Sequence, residues 1–190
     1  MHSNKAGIRI IAGEYRGRRI RVPARPGLRP TPDRVRETLF NWLGQWLTGL
    51  SCLDLFAGSG ALGFEAASRG AARVVMVEHD RAAFESLEKT RAAIGAQQVE
   101  LKFGDAFAYL QKNPERFDVV FLDPPFRQNA LPALFGHLRV SAGARVYVEA
   151  DERFNAGESW RELRHARAGQ VSYQLFEWRG DDQGRLPGNV

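Results

Sequence analysis

The sequence predicts an open α/β fold around a single core, and three observations carry that prediction. The chain has 190 residues, enough for one domain that buries roughly 70% of its unfolded surface and too few for two full enzyme domains. From Ser51 onward, apolar runs of strand type alternate with helical stretches, the pattern of parallel strands joined by right-handed crossovers with helices on both faces. Near the end, WRELRHARAGQVSYQLFEW (Trp160 to Trp178) reads as two extended segments turning near Gly169, an antiparallel pair at the edge of the sheet.

Each element has a local reason. RIIAGEYRGRRIRVP holds two short β-type runs around Gly13 to Gly17, which predicts a hairpin carrying the arginines. PARPGLRP is rich in Pro and Gly and reads as an irregular connector. Thr31 is placed to cap a helix with Pro32 at its first position, and Val35, Leu39, Leu43, Trp46 and Leu47 recur on one face to about Leu47. The strand candidates are CLDLF, RVVMVE, VELKF, FDVVFLD and ARVYVE. Helical stretches around Ala61 to Arg69, Arg81 to Ile94, Ala106 to Gln111 and Leu131 to Leu138 separate them. The tail DDQGRLPGNV is polar and expected to fray.

Composition narrows the class. No segment approaches the ~18 apolar residues of a membrane span, and the opening MHSNKAGIRI lacks the apolar run of an export signal. The expectation is a soluble cytoplasmic protein. Cys52 is the only cysteine, which rules out an internal disulfide and a multi-cysteine metal site; in its apolar run it reads as a small buried hydrophobe. The net charge is +5 but lopsided: Met1 to Arg36 holds ten cations against Glu14 and Asp33, while the rest has 17 Lys and Arg against 20 acids. Such a segment suits a polyanionic partner or, equally, a solvated face.

In open sheets of this kind ligands bind outside the C-terminal ends of the strands, and every chemical motif falls at such an end. GSGALG (Gly58 to Gly63) follows the first parallel strand and precedes a helix; glycines there tolerate positive φ and let a ligand approach the backbone. Glu78 ends the second strand, ahead of His79 and Asp80, where a carboxylate can accept both hydroxyl protons of a ribose. Gly104 to Ala106 end the third, and Asp105 can accept from an adenine amino group. Together they describe an adenosine pocket, which both NAD and S-adenosylmethionine would fit.

DPPF (Asp123 to Phe126) closes the fourth strand and separates the two. Consecutive prolines leave carbonyls without competing local amides, while Asp123 adds an acceptor and Phe126 a flat stacking face. That combination grips a planar group bearing an NH2. Acceptors from Asp123 and the Pro124 carbonyl would favour a pyramidal nitrogen and free its lone pair for in-line attack on a methyl sulfonium. Catalysis would come from positioning and electrostatics.

DLFAGSG, Glu78, GDA and DPPF, in this order and spacing, resemble the Rossmann-like class I S-adenosylmethionine-dependent methyltransferases that modify exocyclic amino groups. More narrowly, RIIAGEYRGRRIRVP, LRPTPDRVRETLFNWL, DLFAGSGALGFEAASRGA and GQVSYQLF resemble the bacterial 16S ribosomal RNA guanine 2-amino methyltransferases, from about Arg9 to Trp178. The resemblance implies a seven-stranded, mostly parallel sheet with an antiparallel edge and an N-terminal β-hairpin extension. It implies S-adenosylmethionine as donor and one guanine of 16S rRNA, in an assembled or assembling small ribosomal subunit, as acceptor. Asp54, Phe56, Ala57, Gly58, Ser59 and Gly60 would line the methionine end of the cofactor, with Glu78 and His79 at the ribose and Asp105 and Ala106 at the adenine. Asp123, Pro124, Pro125 and Phe126 would hold the guanine. Arg9, Arg16, Arg18, Arg19, Arg21, Arg34 and Arg36 would meet RNA. Thr31, Arg34 and Arg36 would border the site, although Arg34 or Arg36 would serve equally well pairing with Asp33 or Glu37.

The organisation so read is a basic arm and connector over residues 1–30, a methyltransferase domain over 31–180 and a tail over 181–190, acting as a monomer. Four rival functions fit less well. An NAD oxidoreductase needs a substrate domain, and a DNA adenine methyltransferase usually adds a target-recognition domain; neither has room. Protein glutamine methyltransferases prefer Asn at the place of Asp123. A non-catalytic RNA-binding module leaves DPPF and the adenosine pocket without purpose.

Overall fold

The computed structural model describes residues 7–22, 32–124 and 130–180. The arm is a small antiparallel ribbon of β1 (Gly7–Arg9) and β2 (Arg19–Arg21), with Ile8 opposite Ile20. Helix α1 runs Asp33–Leu43. It is followed in alternation by β3 (Ser51–Asp54), α2 (Ala61–Ser68), β4 (Arg73–Glu78), α3 (Arg81–Ile94), β5 (Val99–Phe103), α4 (Ala106–Lys112), β6 (Phe117–Leu122), α5 (Leu131–His137) and β7 (Val140–Ala150). The long β8 (Trp160–Ala168) and β9 (Val171–Trp178) complete the sheet.

The seven strands of the sheet lie in the order β5-β4-β3-β6-β7-β9-β8, parallel through β7 and antiparallel at the β9-β8 edge. Strand alternation sorts the core into two layers. Cys52, Met76, Phe121 and Tyr147 face α1, α2, α3 and the arm, whereas Leu53, Val75, Leu122 and Val148 face α4 and α5. Cys52 is a buried free thiol, its pKa pushed up by burial and then by the charges of Asp118 and Asp54.

Helix α1 departs from expectation at both ends. Pro32 is the residue before the helix, not its first position: its extended backbone (φ −56°, ψ 149°) offers the carbonyl to the N–H groups of Val35 and Arg36. Thr31 lies outside the described residues. At the other end Gly44 turns left-handed (φ 101°) and stops the helix after Leu43. The apolar periodicity therefore does not carry Trp46 to the core; Trp46 is 63% exposed, although Leu47 behind it is buried.

Candidate active site

The parallel strands deliver their C-terminal ends to one rim. In register, Asp54 lies opposite Met76 and Phe121, Glu78 opposite Phe103, and Leu122 opposite Val148. Because side chains two apart share a face, the pleat that carries Cys52, Met76, Phe121 and Tyr147 next presents Asp54, Glu78, Asp123 and Glu149. Four carboxylates thus gather on the side of α2 and the arm.

The glycine loop is shaped by that rim. Ala57 donates to the Val77 carbonyl at 3.0 Å, and Gly60 donates back to Ala57 at 2.6 Å. Gly60 holds φ +83°, and a Cβ there would lie 2.6 Å from the side chains of Phe64 and Leu87, so no other residue fits without displacement. Ala57 and Ser59 are buried, and Phe56 is packed against the opposite layer. Glu78, 6% exposed, is the loop's tie: one oxygen accepts from Gly58 N–H at 2.7 Å and the other from Asp80 N–H at 2.7 Å, with His79 Nδ1 at 3.4 Å.

Asp54 is buried and accepts from Gly63 N–H in the first turn of α2 at 3.1 Å. Burial pushes its pKa up to about 7, opposed by the backbone N–H groups of Gly63 and Phe56 and reinforced by the charge of Glu78. Asp123, just past β6, is half-buried. Burial first, and then the charges of Glu149 and Asp54, hold its carboxyl well above the usual range. Glu149 accepts from the buried Tyr147 hydroxyl at 2.8 Å, and burial with that neighbouring charge pushes the phenol up.

Asp105 is exposed, and its Oδ1 caps α4 by accepting from Ala108 N–H at 2.9 Å. Asp80 caps α3 in the same way through Ala83 N–H. Ala106 is buried in the α4 layer and His79 is exposed. Pro124 is buried behind Asp123, whereas Pro125 and Phe126 lie outside the described residues.

The arginines divide. Arg9, Arg16, Arg18, Arg19, Arg21 and Arg34 are exposed, and Arg18 reaches the Ala93 carbonyl in the last turn of α3 at 2.6 Å. Arg36 corrects the expectation of an RNA contact. It is fully buried, with its guanidinium committed to Asp33 (2.7 Å), the Arg9 carbonyl (3.0 Å) and Glu65 (3.4 Å), so no phosphate can reach it. Glu149, Tyr147 and Glu65 are features that sequence reasoning passed over. The period-2 alternation of ARVYVE could have found the first two, and a lone acid in the small-residue run ALGFEAAS could have found the third.

The family model described as "Conserved hypothetical protein 95" matches residues 8–177. Ribosomal RNA small subunit methyltransferase D of Escherichia coli is 42% identical over 183 residues, covering 93% of this chain and 92% of that protein. The chain belongs to this family of small-subunit methyltransferases. Among solved structures, the Escherichia coli yhhF protein, a candidate methyltransferase, superposes with a TM-score of 0.85 at 40% identity, covering 93% of this chain and all of that one. An RNA methyltransferase of Salinibacter ruber, solved with S-adenosyl-L-homocysteine, shares the fold at 24% identity, with a TM-score of 0.62, 84% of this chain and all of that one covered.

The family's donor is S-adenosylmethionine, and the rim fits it. A glycine loop closed against backbone, with the Asp54 and Glu78 carboxylates held mainly by backbone amides, suits a ligand that carries a sulfonium, an ammonium and a ribose.

Proposed function

We propose that this S-adenosylmethionine-dependent ribosomal RNA methyltransferase methylates the exocyclic 2-amino group of one guanine in 16S rRNA. The observation that carries the reading is the placement of Asp123 and Pro124 at the end of β6, on the rim shared with Asp54, Glu78 and the glycine loop. The names of the relatives add the ribosomal RNA.

S-adenosylmethionine supplies an electrophilic methyl carbon on a cationic sulfur. In this reading Glu78 accepts from the ribose hydroxyls while keeping the Gly58 amide in place, Asp105 accepts from the adenine amino group with the oxygen not used in capping α4, and Asp54 faces the cationic end. Asp123 and the Pro124 carbonyl accept the two amino hydrogens of the guanine, which localises the nitrogen lone pair and aims it at the methyl carbon. Held there, S-adenosylmethionine would give its methyl carbon to that nitrogen and keep the C–S electron pair on sulfur, and the Asp123 carboxylate or water would take the amino proton. Pro125 and Phe126 complete the guanine-holding stretch by their place in the chain. The exposed arginines of the arm and Arg34 bind phosphates, and a protein of this size works as a monomer that takes further recognition from the ribosomal surface. The target base is flipped out or already unpaired.

The test is radiolabelled methyl transfer to small subunits lacking the modification, with naked 16S RNA and duplex DNA in parallel. Label recovered as 2-methylguanosine is the expected result. Label in methyladenine, or no label despite cofactor binding, overturns the acceptor.

A further inference from the structure

Glu65 lies at the centre of three elements. It is fully buried in α2, and each of its oxygens serves one guanidinium and one backbone amide of the arm. Oε1 accepts from Arg69 Nε at 2.8 Å and from Ala12 N–H at 3.1 Å; Oε2 accepts from Ile11 N–H at 2.8 Å and from Arg36 Nη1 at 3.4 Å. Arg36, on α1, grips the Arg9 carbonyl in turn. One turn further along α2, the Ser68 hydroxyl accepts from Tyr15 N–H at 2.9 Å and donates to the Ala12 carbonyl, while the Ser68 carbonyl accepts from Glu14 N–H at 2.8 Å. The approach is so close that a Cβ on Gly13, which holds φ +82°, would lie 1.7 Å from the Ser68 oxygen.

The other end of the same helix belongs to the cofactor loop. Asp54 holds Gly63 at 3.1 Å, and Gly60 ends the loop only five residues before Glu65, about 8 Å along the axis at 1.5 Å per residue. A core salt bridge needs only the two guanidiniums. Here the carboxylate also spends an acceptor on each of two consecutive arm amides, which fixes the turn carrying Arg16, with Arg18 and Arg19 just beyond it, to a rigid element of the site.

We infer that Glu65 is a positioning residue for the RNA: it fastens the basic turn to the helix that begins at the cofactor loop, so the arm's arginines meet the ribosomal RNA at a set offset from the methyl-transfer site. This rests on the acceptor proposed above. The offset selects which guanine reaches the donor, since a phosphate held by the arm leaves only a fixed length of RNA before the rim.

Glu65→Gln strips the charge facing two buried guanidiniums and can fail to fold, so Gly13→Ala and Ser68→Ala accompany it; these displace or release the turn while every charged side chain of the cluster stays in place. Methyl transfer to unmodified small subunits is measured with KM, kcat, cofactor Kd, melting temperature and a map of methylated guanines. The expected result for Gly13→Ala and Ser68→Ala is a KM raised about tenfold, the scale of one or two weakened phosphate interactions. Cofactor Kd and kcat should stay within about twofold, with label at guanines that the wild type leaves alone. An unchanged KM and a single unchanged site overturn the inference, as does a fall of kcat and cofactor affinity in step with melting temperature. If the wild type itself puts no label into ribosomal RNA, the acceptor reading has failed and the inference falls with it.

Discussion

Glu65 and the strand-end carboxylates lie on the same side of the sheet but differ in their balance of charge. Glu65 has two guanidiniums and two backbone amides on its two oxygens. Among the described residues, Asp54 and Glu78 are held by backbone amides, with the exposed His79 ring beside Glu78. Asp123 is held well above its ordinary pKa by burial and by two carboxylates. Taking charges out of water costs several kcal/mol each unless a partner compensates. The Glu65 centre is therefore complete within the chain and stabilises the joint between arm and body. Among the described residues, burial and neighbouring carboxylates hold Asp54 and Asp123 toward their neutral forms, and a cationic ligand such as a methyl sulfonium donor favours the ionised forms on arrival. A buried acid with cations reads as architecture, and a buried acid without them reads as a site.

The contrast fails if either centre behaves like the other. Glu65→Ala should lower stability by about 3–5 kcal/mol, the cost of leaving buried guanidiniums unpaired; denaturant unfolding measures it, and a loss under about 1 kcal/mol would mean the hub is dispensable. Asp123→Ala should cost about 10²–10³ in kcat, the scale of removing one oriented acceptor, with cofactor Kd nearly unchanged and stability equal or higher. Wild-type turnover by this variant would remove the amino-gripping role.

The pH dependence sharpens the contrast. Asp54 binds its proton more tightly folded, with a pKa of about 7 against 3.8 unfolded, so between those values the native state carries the extra proton. Its contribution to the stability of the unliganded protein is full below about pH 4, declines as pH rises and is gone above about pH 7. A cationic donor favours ionised Asp54. Binding near neutral pH should then release protons, detectable by calorimetry in buffers of different ionisation heat, and Asp54→Asn should abolish most of that release.

Smaller effects belong to the surface. Alanine at Arg16, Arg18 and Arg19 should reduce the salt slope of RNA binding by ~0.7 to 0.9 for each phosphate left without its arginine; an unaltered slope would make the arm a solvated face. Trp46→Ser should change stability by no more than about 0.5 kcal/mol, as at other exposed positions, and a larger loss in thermal unfolding would show that the periodicity through Trp46 matters after all.

Much of this was legible in the chain because it is encoded locally. Alternating apolar runs and helical stretches specify a doubly covered parallel sheet, since nothing else buries both faces of such strands. Glycines and acids at strand ends mark the rim, because ligand sites in these folds follow from topology. The hairpin, the edge pair and the single buried cysteine were equally plain. The tertiary structure decided what depends on partners distant in sequence. Arg36 reads on its helix as a surface cation that either meets RNA or pairs with Asp33 or Glu37; it does pair with Asp33, but only Glu65, 29 residues away, with the Arg9 carbonyl turns it into a buried strut. Glu149 and Tyr147 look like ordinary strand residues until β7 lies beside β6. Asp105 could be named as a ligand acceptor, but its capping of α4 shows only when the Ala108 amide turns toward it. Local pattern determines which elements form and where a strand ends; charge balance inside the core is a property of pairs, and pairs exist only after the chain has folded.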